Sequence, residues 1–280
     1  MIIVGVDGSP HARAAVEWAA DDALRMRQPL RVVHAVDRSP YQIAKFPAAQ
    51  WPAALVRGGE QALAEALAVA RERQPSVETS TRLIEGPPAI VLRDEAADAA
   101  EVVVGNRGLG GFAGALLGSV SVHVAGQVSC PVVVVRGETD RRHDRIGVGV
   151  DDSPECEPAL AYAFEQARLR GCAIRAVYAW YMPVYAFAPC PNDMDAIREA
   201  ADEIITDRLE RFKKEYPQVT VEEDVQAAHP VDALRQASTE SDLLVVGSHG
   251  HGALASTLVG SVSRGVLHHA DCPVAVVRAR

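Results

Sequence analysis

The fold is decided by Val102-Val103-Val104-Gly105-Asn106-Arg107-Gly108, with Gly118-Ser119-Val120-Ser121 ten residues further on, and by the return of the same pattern as Leu243-Leu244-Val245-Val246-Gly247-Ser248-His249-Gly250 and Gly260-Ser261-Val262-Ser263. Each copy is an apolar run, a glycine loop, a second Gly-Ser and then a Cys-Pro pair before another apolar run (Cys130-Pro131 and Cys272-Pro273). A glycine loop after a buried strand can turn backbone N–H groups toward an anion. Two copies at one spacing argue for a phosphate ligand over an accidental flexible turn.

The duplication extends outward from these loops. Ile2-Ile3-Val4-Gly5-Val6-Asp7-Gly8-Ser9-Pro10 matches Ile146-Gly147-Val148-Gly149-Val150-Asp151-Asp152-Ser153-Pro154, an offset of 144 residues, against 142 at the loops and at the Cys-Pro pairs. A period of that length is a whole domain. Five strands are predicted per repeat, near 2–7, 30–36, 78–84, 101–105 and 131–136, then 146–151, 173–179, 219–225, 242–247 and 273–278. Most are continuous apolar runs, as strands buried on both faces of a parallel sheet must be. The third is polar in each repeat (Glu78-Thr79-Ser80-Thr81-Arg82; Glu222-Glu223-Asp224), which suits a sheet edge.

Helices are predicted from Ser9-Pro10 and Ser153-Pro154, where Ser caps and Pro takes the first helical position, and near 58–73, 87–98, 118–127, 195–215, 230–240 and 260–269. Alternating strands and helices make an α/β protein of two tandem doubly wound domains. The polar stretch 137–144 is read as a linker, giving domains 1–138 and 144–280. Residues 37–57 and 180–194 are aromatic- and proline-rich without periodicity, and read equally as surface loops or as walls beside a ligand.

Composition narrows the function. A net charge of −9 argues against a nucleic-acid partner, which needs a basic face. No apolar run is long enough for a membrane span, and Met1-Ile2-Ile3-Val4 enters a strand without a basic leader, so a cytoplasmic location is expected. Five cysteines, an odd number without a C-x-x-C pair, indicate free thiols. There is no G-x-x-x-x-G-K-[ST], no G-x-G-x-x-G in the first βα unit and no G-x-S-x-G. His249 and His251 lack a matching zinc ligand set, and His268-His269 reads as surface.

Several residues are candidates for a ligand site. Gly108 sits where positive φ or chain reversal is expected, Gly110 and Gly111 add room, and Gly118-Ser119 opens a helix whose free amides, with the Ser119 and Ser121 hydroxyls, can hold phosphate. Arg107 offers a charged donor where the second repeat has the weaker His249. Asp7 and Asp151 end the first strands, beside the switch point. Each is read as a ribose, amine or metal partner, or alternatively as a capping group for the next helix. Gly5 and Gly149 permit close backbone approach or tight internal packing.

These motifs resemble the ATP-binding type of universal stress protein, over essentially the whole chain. The resemblance implies a sheet order of 3-2-1-4-5 in each domain and ATP along its carboxyl edge. In the first domain, phosphate contacts are implied for Gly105, Asn106, Arg107, Gly108, Leu109, Gly110, Gly111, Gly118 and Ser119, with Val120 and Ser121 adjoining. In the second they fall on Gly247, Ser248, His249, Gly250, His251, Gly252, Ala253, Gly260 and Ser261, with Val262 and Ser263 adjoining. Asp7 and Asp151 would hold the adenosine end, with Gly5 and Gly149 nearby and Ala35 and Ala179 at the adenine. The implied function is ATP-dependent regulation of stress response or growth arrest. The alternative is a slow ATPase or an adenylyl- or phosphoryl-transfer enzyme in which Asp7 or Asp151 holds Mg²⁺. The fifth strands, apolar and at an edge, are expected to pair within the chain, and a homodimer is compatible.

Overall fold

The computed structural model describes residues 1–37, 51–109, 117–137, 142–153, 156–181, 191–250 and 259–279. It contains two compact units, Met1–Arg136 and Gly137–Arg280. In the first unit the order along the chain is β1 (Ile2–Gly5), α1 (Pro10–Met26), β2 (Leu30–Val36), α2 (Trp51–Arg73), β3 (Thr79–Glu85), α3 (Pro88–Glu95), β4 (Glu101–Gly105), α4 (Ser119–Gln127) and β5 (Val132–Val135). A single 3₁₀ turn, Ala96–Asp98, follows α3. In the second unit the order is β6 (Arg145–Val150), α5 (Cys156–Arg170), β7 (Ala173–Trp180), α6 (Pro191–Glu215), β8 (Val221–Ala227), α7 (Pro230–Ser238), β9 (Leu243–Gly247), α8 (Ser261–His269) and β10 (Val274–Val277).

In the first unit β1 lies between β2 and β4, β3 flanks β2, and β5 flanks β4, all parallel. In the second, β6 lies between β7 and β9, β8 flanks β7, and β10 flanks β9, again all parallel. Both are the expected 3-2-1-4-5 order. The strands are apolar because both sheet faces are covered: Ile2, Ile3 and Val4, like Leu243, Leu244 and Val245, are fully buried. The polar strands β3 and β8 each pair with one neighbour within their unit, β2 and β7, as their composition predicts.

Two glycines show how helices cover opposite faces. Gly5 pairs in register with Val104, and a Cβ on it would lie 2.7 Å from Leu92 Cδ1 of α3. Gly105, one residue on and therefore facing the other way, would carry a Cβ 2.7 Å from the His11 carbonyl oxygen of α1. α1 approaches closely because its buried face is mostly small: Ala12, Ala15, Ala19 and Ala23. Its N-terminus forms as expected, with Ser9 Oγ accepting from Ala12 N at 3.1 Å and Pro10 in the first turn.

Some boundaries depart from expectation. β1 stops at Gly5 rather than at residue 7, although Val6 N still donates to the Val33 carbonyl of β2 at 2.9 Å, and Asp7 turns to Ser9 and Leu109. β8 begins at Val221 rather than at 219, because Val219 N is drawn back to the Tyr216 carbonyl at 3.0 Å in a closing turn. α2 and α6 begin at Trp51 and Pro191, inside the two stretches read as irregular. Proline in a first helical turn is no obstacle, since that amide lacks an intrahelical partner anyway. The rest of those stretches, 38–50 and 182–190, lies outside the described residues, as does the linker segment 138–141.

Candidate functional site

In each unit the strand order reverses between the first and fourth strands, and their carboxyl ends open a crevice. In the first unit this is a cavity of about 340 Å³, bounded by Val6 and Asp7 after β1, Ala35 on β2, Gly105, Arg107 and Gly108 after β4, and Gly118 to Ser121 at the start of α4. The second cavity, about 450 Å³, is bounded by Val150 to Asp152, Ala179, Gly247, His249, Gly250 and Gly260 to Ser263. Both fall in the range of small-molecule sites.

The first glycine loop is held from beneath by its aspartate, and the second lies against its own. Asp7 Oδ1 accepts from Ser9 N at 3.0 Å, and its Oδ2 accepts from Leu109 N at 2.7 Å, across 102 residues of chain. A Cβ on Gly108 would sit 2.4 Å from that same Oδ2, and a Cβ on Gly250 would sit 2.4 Å from Asp151 Oδ2. The requirement for glycine here is therefore spatial. The torsional reading made for Gly108 is corrected: positive φ falls instead on Gly8, at 84°. The aspartates act on the backbone, while the cap of α1 is Ser9 and not Asp7. Asp151 Oδ1 accepts from both Ser153 N (3.0 Å) and Ser153 Oγ (2.5 Å).

Opposite each loop a nine-residue helix begins with glycine as its N-cap, and no side chain caps it. Gly118 N donates to the Asn106 carbonyl at 2.7 Å, and Gly260 N to the Ser248 carbonyl at 2.8 Å, which locks loop to helix. The next amides lack intrahelical acceptors by position and open on the cavity at the positive end of the helix dipole. The apolar walls are Val33, Leu92 and Val104 in the first unit and Val177, Leu234 and Val246 in the second.

The structure separates the sequence candidates into groups. Gly5, Asp7, Ala35, Gly105, Arg107, Gly108, Gly118, Ser119, Val120 and Ser121 line the first cavity. Gly149, Asp151, Ala179, Gly247, His249, Gly250, Gly260, Ser261, Val262 and Ser263 line the second. Asn106 and Ser248 do not: both are buried beneath the loop and contribute carbonyls to the loop–helix lock. Leu109 is 71% exposed and holds the loop through its amide without lining the cavity. The Ser121 hydroxyl, read as a ligand donor, instead donates to the carbonyl of Gly105 (2.7 Å), and the Ser263 hydroxyl likewise to that of Gly247 (2.6 Å). Gly110, Gly111, His251, Gly252 and Ala253 lie outside the described residues.

Sequence reading missed part of the wall. Pro88 with Leu92, and Pro230 with Leu234, line the two cavities from α3 and α7. Their recurrence at the loop offset of 142 residues was an available signal. Cys156, Tyr178 and Trp180 line the second cavity alone, where the matching positions of the first repeat are Ala12, His34 and Val36. Burial pushes the Cys156 thiol up to about 11, and burial, then the nearby Asp152 and Asp151 carboxylates, push the Tyr178 phenol up.

Comparison with known proteins agrees with this architecture. The family model described as "Universal stress protein family" matches residues 1–136 and again 143–278. Universal stress protein Rv2005c of Mycobacterium tuberculosis is 35% identical over 288 residues, covering 99% of this chain and 96% of that protein. Universal stress protein Rv2623 of the same organism is 36% identical over 290 residues, covering 99% and 96%. Among solved structures, a universal stress protein from Archaeoglobus fulgidus superposes with a TM-score of 0.72 at 18% identity, covering 99% of this chain and 96% of that one, a likeness of fold. With both halves matched and the relatives aligned along nearly their whole length, the chain belongs to the universal stress protein family, as a tandem of two such domains.

Proposed function

We propose that the chain binds ATP, one molecule in each unit, and acts as a nucleotide-dependent regulator rather than through turnover. The carrying observation is the pair of cavities in which an uncapped helix N-terminus faces a glycine loop at a sheet switch point. Such an end supplies several fixed amide donors and a partial positive charge, which suits a phosphate chain. The adjoining valine and leucine wall suits the flat face of a base, and Ala35 and Ala179 sit at the strand ends where adenine would lie.

The enzymatic alternative gains less support. Both Asp7 oxygens already hold backbone amides, so this carboxylate is engaged in shaping the loop. No group of three or more His, Cys, Asp or Glu able to cage a metal occurs among the described residues. A Mg²⁺ ion would enter on the phosphates, with Asp7 in the first cavity and Asp151 or Asp152 in the second as the carboxylates that could hold it. Among the described residues no helix is long and apolar enough to cross a membrane.

Equilibrium dialysis with labelled ATP tests the reading, with two molecules retained per chain as the expected result. No retention, together with no nucleotide in the mass spectrum of the denatured protein, overturns it. Steady ADP release abolished by Asp7→Ala would favour the enzyme.

A further inference from the structure

The two cavities have the same frame but different charge at one corresponding position. Arg107 and His249 occupy that position in loops whose other bonds agree to 0.1 Å: Gly118 N to Asn106 O is 2.7 Å, and Gly260 N to Ser248 O is 2.8 Å. Both residues line their cavities. Both also stand beside the uncapped helix start, since a Cβ on Gly118 would lie 3.6 Å from Arg107 Cα, and a Cβ on Gly260 would lie 3.3 Å from His249 Cα. No other lysine or arginine occurs between 108 and 118 or between 250 and 260.

The side chains differ in what they offer a phosphate chain. Guanidinium is always charged and presents a fork of donors matched to phosphate oxygens, whereas imidazole presents one donor for each ring N–H and a full charge only when protonated. The second site leans further the same way. Asp152 lines its cavity beside Asp151, where the first repeat has Gly8 after Asp7. Arg208 of α6 reaches the Asp152 carbonyl oxygen and offsets part of that charge. His249 itself is drawn to Ser248, with Nδ1 and Oγ 3.1 Å apart.

We infer that the two sites are graded by phosphate number. Both take a nucleoside triphosphate, but the first prefers it over a nucleoside monophosphate by a larger factor than the second; Arg107 and His249 are the specificity-determining pair. This rests on the nucleotide-binding reading above and sharpens it by assigning different phosphate selectivity to two sites of common descent. The wider second cavity, with Tyr178 and Trp180 in its wall, places its surplus contact at the β7 edge rather than at the phosphate end.

The test uses the full chain with one site blocked at a time. Gly250→Glu leaves the first site and Gly108→Glu leaves the second; calorimetry with ATP and with AMP then gives each site's preference. The ATP-to-AMP affinity ratio is expected to be about tenfold larger at the first site, the size of one charge-assisted bond over a neutral one. His249→Arg should raise the ratio at the second site by about tenfold, and Arg107→His should lower it at the first by a similar factor. Equal ratios at both sites, or ratios unmoved by either exchange, overturn the grading while leaving nucleotide binding intact. Failure of every folded variant and of the parent chain to bind either nucleotide defeats the underlying reading and the grading with it. If a glutamate variant does not fold, Gly108→Ala or Gly250→Ala is the milder block, since the added Cβ alone meets the aspartate.

Discussion

The helix pair α1 and α2 of the first unit and the pair α5 and α6 of the second come from the same ancestral segment and are joined by different forces. In the first unit Asp21 bridges to Arg73 (2.9 Å) and accepts from Gln74 (2.7 Å), while Ala20 and Ala70 fill the contact behind them. In the second, Phe164 and Phe212 stand at the positions of those alanines, with ring centroids 5.3 Å apart, and Tyr216 replaces Gln74 at 5.6 Å from Phe164. Both seams carry an ion pair, since Arg211 of α6 reaches Glu157 of α5, but behind it the first unit has alanines and the second an aromatic stack. The glycine loops, in contrast, kept their backbone bonds and the spacing to their aspartates. The loop is constrained by the aspartate oxygen that a Cβ on Gly108 or Gly250 would strike, whereas a helix seam can be refilled with other side chains of matching volume.

The contrast breaks first at the stack. Phe164→Ala removes a fully buried ring and should lower the second unit's stability by about 3–5 kcal/mol, read as a fall in denaturation midpoint. A change under about 1 kcal/mol would show that the seam carries little of that unit's stability. Next in size is the thiol that replaces Ala12. With its ionisation pushed up to about 11 by burial, Cys156 should be alkylated by iodoacetamide at pH 8 on the order of a hundredfold more slowly than an ordinary thiol. The rate should climb about tenfold per pH unit until that value, and bound nucleotide should slow it further. Peptide mass spectrometry reads the label, and rapid labelling at pH 8 would refute the buried placement.

Third is a pair of glycines within one site. Gly108→Ala forces a Cβ against Asp7 Oδ2, whereas Gly118→Ala meets nothing nearer than 3.4 Å. The first should weaken nucleotide binding in the first unit by about thirtyfold, roughly the loss of one charged hydrogen bond, while the second changes it by less than about threefold. Calorimetry with the second site blocked would separate them, and equal losses would sink the spatial account of Gly108.

The smallest effect concerns acid. Burial raises the Asp21 carboxyl, but the Arg73 and Gln74 bonds and the charges of Arg73 and Arg25 outweigh it, so ionisation falls below the usual range. A depressed carboxylate contributes stability that is complete above its unfolded value of about 3.9 and is lost as pH falls through the folded one. Arg73 is half exposed, so Asp21→Asn should cost only about 1 kcal/mol at neutral pH and flatten the acid limb of the first unit's stability curve. An unchanged acid limb would remove Asp21 from the account.

Strand count and the carboxyl-edge crevice were legible because duplication let each repeat check the other, and because strands buried on two faces leave an unbroken apolar signature; the sheet order came only with the family resemblance. The polar third strands announced their edge position for the same reason. The roles of Gly108 and Ser121 were not legible. A glycine needed for room and one needed for torsion look alike in one dimension, and a serine that steadies a strand end looks like one that meets a ligand. The cavity walls from α3 and α7 were hidden because Leu92 and Leu234 carry no chemistry of their own; only the crossing of those helices over Gly5 and Gly149 gives them a function. The early starts of α2 and α6 were masked by prolines that read as breakers.

The bond from the Leu109 amide to Asp7 joins two residues that are made 102 positions apart. A ribosome-bound fragment that ends before β4 has the aspartate and the first strand yet no hollow for a guest. On the nucleotide-binding reading proposed above, occupancy would be a certificate of completion: a ligand could settle only where both distant segments had already met, and its departure would be an early sign that they had come apart.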